Sequence, residues 1–159
     1  MIKVQISKNE AETQKIAGDL AHKIGNSKDS VVISLEGELG AGKTTFVKGF
    51  ARELGIKAKI KSPTFTLMKG YKIPFDKNKG KLKVSNQKYM IHLDCYRVRD
   101  HEDLATLDLK TLFKAPDHIV MIEWPERVRK ILPKKIIRVH IDHVSKNERK
   151  ITIHSHINQ

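Results

Sequence analysis

Residues 31–54 constrain this chain more than any other stretch of it. Val31-Val32-Ile33-Ser34-Leu35 is a short β-branched run, as expected for a strand covered on both faces. It leads directly into Gly37-Glu38-Leu39-Gly40-Ala41-Gly42-Lys43-Thr44, which meets the pattern G-x-x-x-x-G-K-[ST] at every required position. From Gly42 to Leu54, Phe46, Val47, Phe50, Ala51 and Leu54 recur at helical spacing, and Gly55 ends the run. Strand, glycine-rich turn and helix in that order make a polyphosphate cradle. Backbone N–H groups turn inward where no side chain blocks the approach, which is why glycines recur. The helix then begins at the phosphates, where its unpaired N–H groups and positive dipole end favour an anion.

In such a cradle Glu38, Leu39, Gly40, Ala41 and Gly42 form the wrapping turn, and Lys43 reaches the β- and γ-phosphates as a point charge. The Thr44 hydroxyl is placed for a magnesium ion, and Thr45 adds a hydroxyl near the α-phosphate. A short motif also arises by accident; here its flanking strand and helix argue against accident. Guanine-specific P-loop proteins usually carry Asn-Lys-x-Asp, and the nearest segment, Asn78-Lys79-Gly80-Lys81, lacks the aspartate. ATP is therefore favoured over GTP.

A magnesium ion held by Thr44 needs a carboxylate at the tip of a neighbouring buried strand. Two apolar runs end in an acid: Met90-Ile91-His92-Leu93-Asp94 and Ile119-Val120-Met121-Ile122-Glu123. Asp94 and Glu123 are both candidates, and which one binds the metal directly stays open.

The remaining pattern predicts an α/β fold of the P-loop NTPase type: a central, mostly parallel sheet with antiparallel edge strands, flanked by helices. With 159 residues the chain suits one core, so 1–159 reads as a single domain. The spacing of Thr13, Ile16, Ala17, Leu20, Ala21 and Ile24 predicts a helix over 10–24. Residues 64–68, 89–94 and 119–123 read as strands and 101–113 as weakly helical, while Pro125 suits the first turn of a short helix through Ile131. The alternation of Ile137, Val139 and Ile141, then Ile151, Ile153 and Ile157, predicts a half-buried hairpin closing one edge of the sheet.

The formal charge of +13 is unevenly spread, with nine of the excess positive charges in 57–88. Within it, 70–88 carries Gly70, Pro74 and Gly80 and reads from 72 onward as an exposed basic loop or hairpin tip. Such a region either steers phosphates or RNA or docks an acidic partner, or is a solvated insertion. Its Tyr71 and Phe75 lack the regular spacing of base-stacking platforms. Cys95 is the only cysteine, which excludes an intrachain disulfide or a thiolate metal cluster and fits a reducing compartment. The opening MIKVQISKNE has no apolar signal core, and no apolar run approaches membrane-spanning length, so a cytoplasmic location is expected.

Four segments in order give the chain its resemblance to the TsaE family, the P-loop ATPases of tRNA threonylcarbamoyladenosine biosynthesis. They are Gly37 to Phe46; Ser62-Pro63-Thr64-Phe65-Thr66-Leu67, similar to a switch-like segment; His92-Leu93-Asp94-Cys95-Tyr96-Arg97; and Ile122-Glu123-Trp124-Pro125-Glu126. Glu12-Thr13 also fits the family's opening Glu-Thr. The resemblance spans most of the chain apart from 70–88, where the family pattern is shorter and less basic.

It implies an ATPase acting with TsaB and TsaD in threonylcarbamoyl modification of the adenosine beside the anticodon, hydrolysing ATP to reset that complex. It further implies that Asp94 and Glu123 serve magnesium and the attacking water, that Thr64 senses the γ-phosphate, and that Thr13 lies near the nucleotide. Trp124 is implied as a packing or partner-facing residue. Arg97, Arg127 and Arg129 read as structural ion-pairing residues rather than as an arginine finger. Two other readings compete: a small nucleotide or nucleoside kinase, which shares the turn and the size, and a non-enzymatic RNA-binding module.

Overall fold

The structure is a computed structural model and describes residues 1–25, 27, 29–74, 89–99 and 101–155. Seven strands form one sheet in the order β1-β7-β6-β2-β5-β4-β3. They are β1 (Ile2–Ser7), β2 (Val31–Glu36), β3 (Met68–Lys72), β4 (Tyr89–Asp94), β5 (His118–Glu123), β6 (Ile137–His143) and β7 (Arg149–His154). The middle four, β6, β2, β5 and β4, run parallel, while β3, β7 and β1 are antiparallel to their neighbours. The largely apolar runs at 31–35 and 119–123 become the two innermost of these, because near-continuous hydrophobicity suits strands covered on both faces.

Helices α1 (Glu10–Ile24) and α2 (Lys43–Glu53) cover one face. Ile16, Leu20, Phe46 and Phe50 pack there against Ile33, Leu35, Ile119 and Met121. The other face buries Val32, Leu93, Val120 and Ile122 under Leu104, Phe113 and Val128, from the 3₁₀ segment His101–Leu107, the short α3 (Leu109–Leu112) and its C-cap, and the 3₁₀ segment Pro125–Ile131. Asn9 starts α1: its Oδ1 accepts from the Glu12 N–H at 2.9 Å, and Glu12 Oε2 accepts from the Lys8 N–H at 2.7 Å. Among the described residues no helix is long and apolar enough to cross a membrane.

The two covering helices touch closely at Gly49, where a Cβ would lie 2.4 Å from the Cα and the carbonyl oxygen of Gln14. That approach explains a glycine in the middle of a helix, where it otherwise costs stability. Gly49→Ala should lower stability by about 1–3 kcal/mol, since the backbone of α1 must shift to admit a methyl. A urea titration checks this: an unchanged midpoint would show that the helices separate freely.

Three expectations need correction. The strand expected at 64–68 is displaced: residues 64–66 form a turn in which the Thr66 N–H donates to the Pro63 carbonyl at 3.0 Å, and Leu67 adopts a φ of 62°. The strand therefore starts only at Met68 and takes in Gly70, Tyr71 and Lys72, so the exposed loop expected from 72 onward does not begin until after Lys72. Residues 75–88, with Phe75 and most of the basic insertion, lie outside the described residues, as does Ile157. The β6–β7 hairpin does form, but it does not close the sheet: β1 pairs with β7 and is the edge strand. Ile2, Val4 and Ile6 point outward there at 65%, 55% and 51% exposure, so their alternation signals a strand whose apolar side is not the buried one.

Candidate functional site

Strand β2 pairs with β5 on one side and β6 on the other, so the connection leaving β2 emerges where the sheet's winding reverses. Crevices at the carboxyl ends of strands form at such points. The turn Gly37–Gly42 fills this one. Gly37, Gly40 and Gly42 have φ values of 144°, 77° and 105°, a region in which a side chain is strained. At Gly37 a Cβ would also stand 2.5 Å from the Ile141 carbonyl oxygen. Gly42 caps α2 without any side-chain hydrogen bond, and no acid lies in the first turn. The N–H groups there face a cavity of about 410 Å³.

Lys43, 5% exposed, donates from Nζ to the carbonyls of Gly37 at 2.6 Å and Glu38 at 2.9 Å, and stands 4.0 Å from the centre of the Trp124 ring. Burial pulls its amine below the ordinary value of 10.5, against the opposing pull of Glu123, Glu126 and Asp94. The Thr44 hydroxyl donates to Glu123 Oε1 at 3.0 Å. Glu123 is the last residue of β5 and lies in register with Asp94 at the end of β4, so two nearly buried acids stand side by side at adjoining strand tips.

Asp94 is held by the loop ahead of β3. Its Oδ2 accepts from Ser62 Oγ at 2.5 Å and Thr64 Oγ1 at 2.8 Å, and its Oδ1 accepts from the Tyr96 N–H at 2.9 Å. Cys95 follows directly, fully buried. Burial, helped by Asp94 and Glu126, pushes its thiol up to about 12. A thiol held un-ionised and covered is inert. We expect no reaction of the native protein with a disulfide reagent at pH 8 and one thiol per chain after unfolding; rapid native labelling would contradict this.

Leu39, Gly40, Gly42, Lys43, Thr44, Thr45, Thr64, Asp94 and Glu123 thus line one cavity. Glu38 contributes its carbonyl to Lys43, and its side chain borders a neighbouring cavity with Trp124 and Glu126. Ala41 is 1% exposed and packs into the core; its carbonyl accepts from Arg149 Nε at 3.0 Å. Thr13 is not brought to the cavity: it is buried in the first turn of α1, its hydroxyl 2.7 Å from that of Ser7. The Arg97 guanidinium stacks over Phe65 at 4.3 Å, and no arginine among the described residues lines the cavity.

Ser62, His92, Tyr96 and Arg149 also belong to this arrangement without having been singled out for a role. Ser62, His92 and Tyr96 sit within the motif blocks, which is the one sequence signal that marks them; nothing in the sequence signals Arg149. Trp124 lines the cavity at a φ of 58° and packs 5.0 Å from the Tyr96 ring, so it is part of the pocket wall as well as packing. A bulky residue in that conformation between Glu123 and Pro125 marks a strained corner at the site.

A glycine-rich turn entering a helix at the switch point of a parallel sheet, with a lysine, a threonine and an acid converging on it, defines a P-loop nucleotide-binding protein. The family model described as threonylcarbamoyl adenosine biosynthesis protein TsaE matches residues 7–151. The chain belongs to the TsaE family.

Among relatives named tRNA threonylcarbamoyladenosine biosynthesis protein TsaE, that of Bacillus subtilis is 37% identical over 91% of this chain and 80% of its own length. That of Aquifex aeolicus is 36% identical over 97% of both. The Haemophilus influenzae protein is 36% identical over 74% of this chain, and that match covers 66% of the relative, just under two thirds. The crystal structure of Bacillus subtilis YdiB superposes with a TM-score of 0.69 at 31% identity, over 96% of this chain and 84% of that one.

Proposed function

We propose that this chain is a single-domain, magnesium-dependent ATPase of the cytoplasm. It supports threonylcarbamoyl modification of the adenosine next to the anticodon in tRNA by acting with TsaB and TsaD. The observation that carries the reading is the convergence of Lys43, Thr44, Glu123 and Asp94 on one cavity at the amino end of α2.

The donor set suits magnesium. Thr44 and Glu123 offer hard oxygens already 3.0 Å apart, with the Asp94 carboxylate on the adjoining strand tip. Among the described residues no three His, Cys, Asp or Glu side chains form a closed cage, which a cation that keeps water and phosphate oxygens in its shell does not require. When bound, the ion neutralises charge on the β,γ-phosphate oxygens.

The chain's own residues do the rest. The open N–H groups of the turn and of α2 receive the phosphates, and Lys43 exchanges two carbonyl acceptors for phosphate oxygens. Thr64, already bonded to Asp94, is placed to change partners when a γ-phosphate enters. Asp94 and Glu123 accept protons or hydrogen bonds from an attacking water beside that phosphate. With no arginine lining the cavity among the described residues, the isolated protein should turn over slowly and its partners should accelerate it. The same feature disfavours a nucleoside kinase, whose lid arginines close over the phosphates.

The test is reconstitution with TsaB, TsaD, tRNA and the threonylcarbamoyl adenylate. Wild-type protein should support many rounds of modification and Lys43→Ala a single round. Equal multiple turnover with both, or fast hydrolysis indifferent to partners, would defeat the reading.

A further inference from the structure

His92 is fully buried in β4, and its Nε2 lies 2.8 Å from Glu123 Oε1, the oxygen that also accepts from the Thr44 hydroxyl. A carboxylate oxygen only accepts, so Nε2 carries the proton. Nδ1 is buried with no hydrogen-bond partner among the described residues. A buried polar atom left unpaired is a cost that an aliphatic side chain in the same place would avoid. Ahead of Asp94 at its tip, strand β4 is otherwise apolar inside, with Met90, Ile91 and Leu93 as buried neighbours, and would accept one. Something other than packing keeps an imidazole there.

The Glu123 carboxylate supplies the reason. Two donors, one from β4 and one from α2, converge on Oε1. That fixes the plane of the carboxylate and leaves Oε2 without a hydrogen bond to the described residues. We propose that His92 is a positioning residue that locks Glu123 in the orientation needed to hold a divalent cation beside Thr44. The proposal rests on the nucleotide-binding reading above and deepens it. His92 does not touch the nucleotide or the cation; it sets the direction of the residue that does. Support of this kind behind a metal-binding carboxylate is worth about 10- to 100-fold in metal affinity or activity where it has been removed.

The experiment has two arms. In ligand-free protein, ¹⁵N-edited NMR of the His92 ring should find a proton on Nε2; a bare Nε2 would overturn the geometry. In the second arm, calorimetry measures ATP binding in EDTA and across a magnesium series for wild type, His92→Leu and His92→Gln. Leucine should raise the half-saturating magnesium concentration by roughly 10- to 100-fold while leaving ATP affinity in EDTA within about threefold. Glutamine, whose amide N–H reaches the place of Nε2–H, should return the magnesium dependence to within about threefold of wild type. Leucine and glutamine variants that behave alike, or a leucine variant with wild-type magnesium dependence, would sink the positioning role. Wild-type protein that binds no nucleotide would sink the functional reading itself, a result told apart by its appearance in the control.

Discussion

Lys43→Ala should lose ATP binding by two orders of magnitude or more while the protein stays folded. The lysine is 5% exposed, and its ammonium contacts two backbone carbonyls and the Trp124 ring, with the charges of Glu123, Glu126 and Asp94 nearby. Removing it leaves the turn without its one buried cation, and a charge-assisted bond to a phosphate is among the strongest a site of this kind offers. The fold should not suffer, because burying that ammonium opposes its charged form.

The sign of the pH effect follows. Between the lowered value in the folded state and the ordinary 10.5, the unfolded chain holds more protons at this position, so stability due to Lys43 rises with pH. Denaturant melts should therefore show wild type gaining on Lys43→Ala as pH climbs toward 10.5. A variant that binds ATP as wild type does would remove Lys43 from the phosphate site.

Glu123→Gln should separate binding from turnover. The amide keeps the shape of the side chain and an oxygen able to accept from Thr44, so the cradle survives; the negative charge beside it does not. Hydrolysis should fall roughly 100- to 1,000-fold, the loss typical when one electrostatic partner of a transition state is removed. ATP affinity in EDTA should stay within a few-fold. Single-turnover hydrolysis set beside equilibrium binding checks this: equal losses in both would make Glu123 a general ligand for nucleotide rather than a group that acts in the chemistry.

Much of the architecture is legible in the sequence, because β2, β5 and α2 carry local signals that agree with their tertiary role. Largely apolar runs form central parallel strands, and the helical spacing of Phe46, Val47 and Phe50 forms a buried face. The misses occur where distant groups overrule local preference. Residues 64–66 look like a strand, yet the hydroxyls of Ser62 and Thr64 are claimed by Asp94, 32 and 30 positions away, and the backbone turns to deliver them. Strand β1 was overlooked because its aliphatic side faces out while Ser7 is buried against Thr13. Within the site, Lys43, Thr44, Asp94 and Glu123 were legible from the motif and from acids at strand ends. The contact between His92 and Glu123 was not, since it depends on the register of β4 against β5.

The phosphate turn leans on the far end of the chain. The Ile141 carbonyl crowds Gly37, and Arg149 grips the Ala41 carbonyl from 108 positions away, so the last strand pair serves as an abutment for a loop whose own signature gives no hint of it. A shortened protein ending before Arg149 would retain every letter of that signature and lose the buttress that gives it shape.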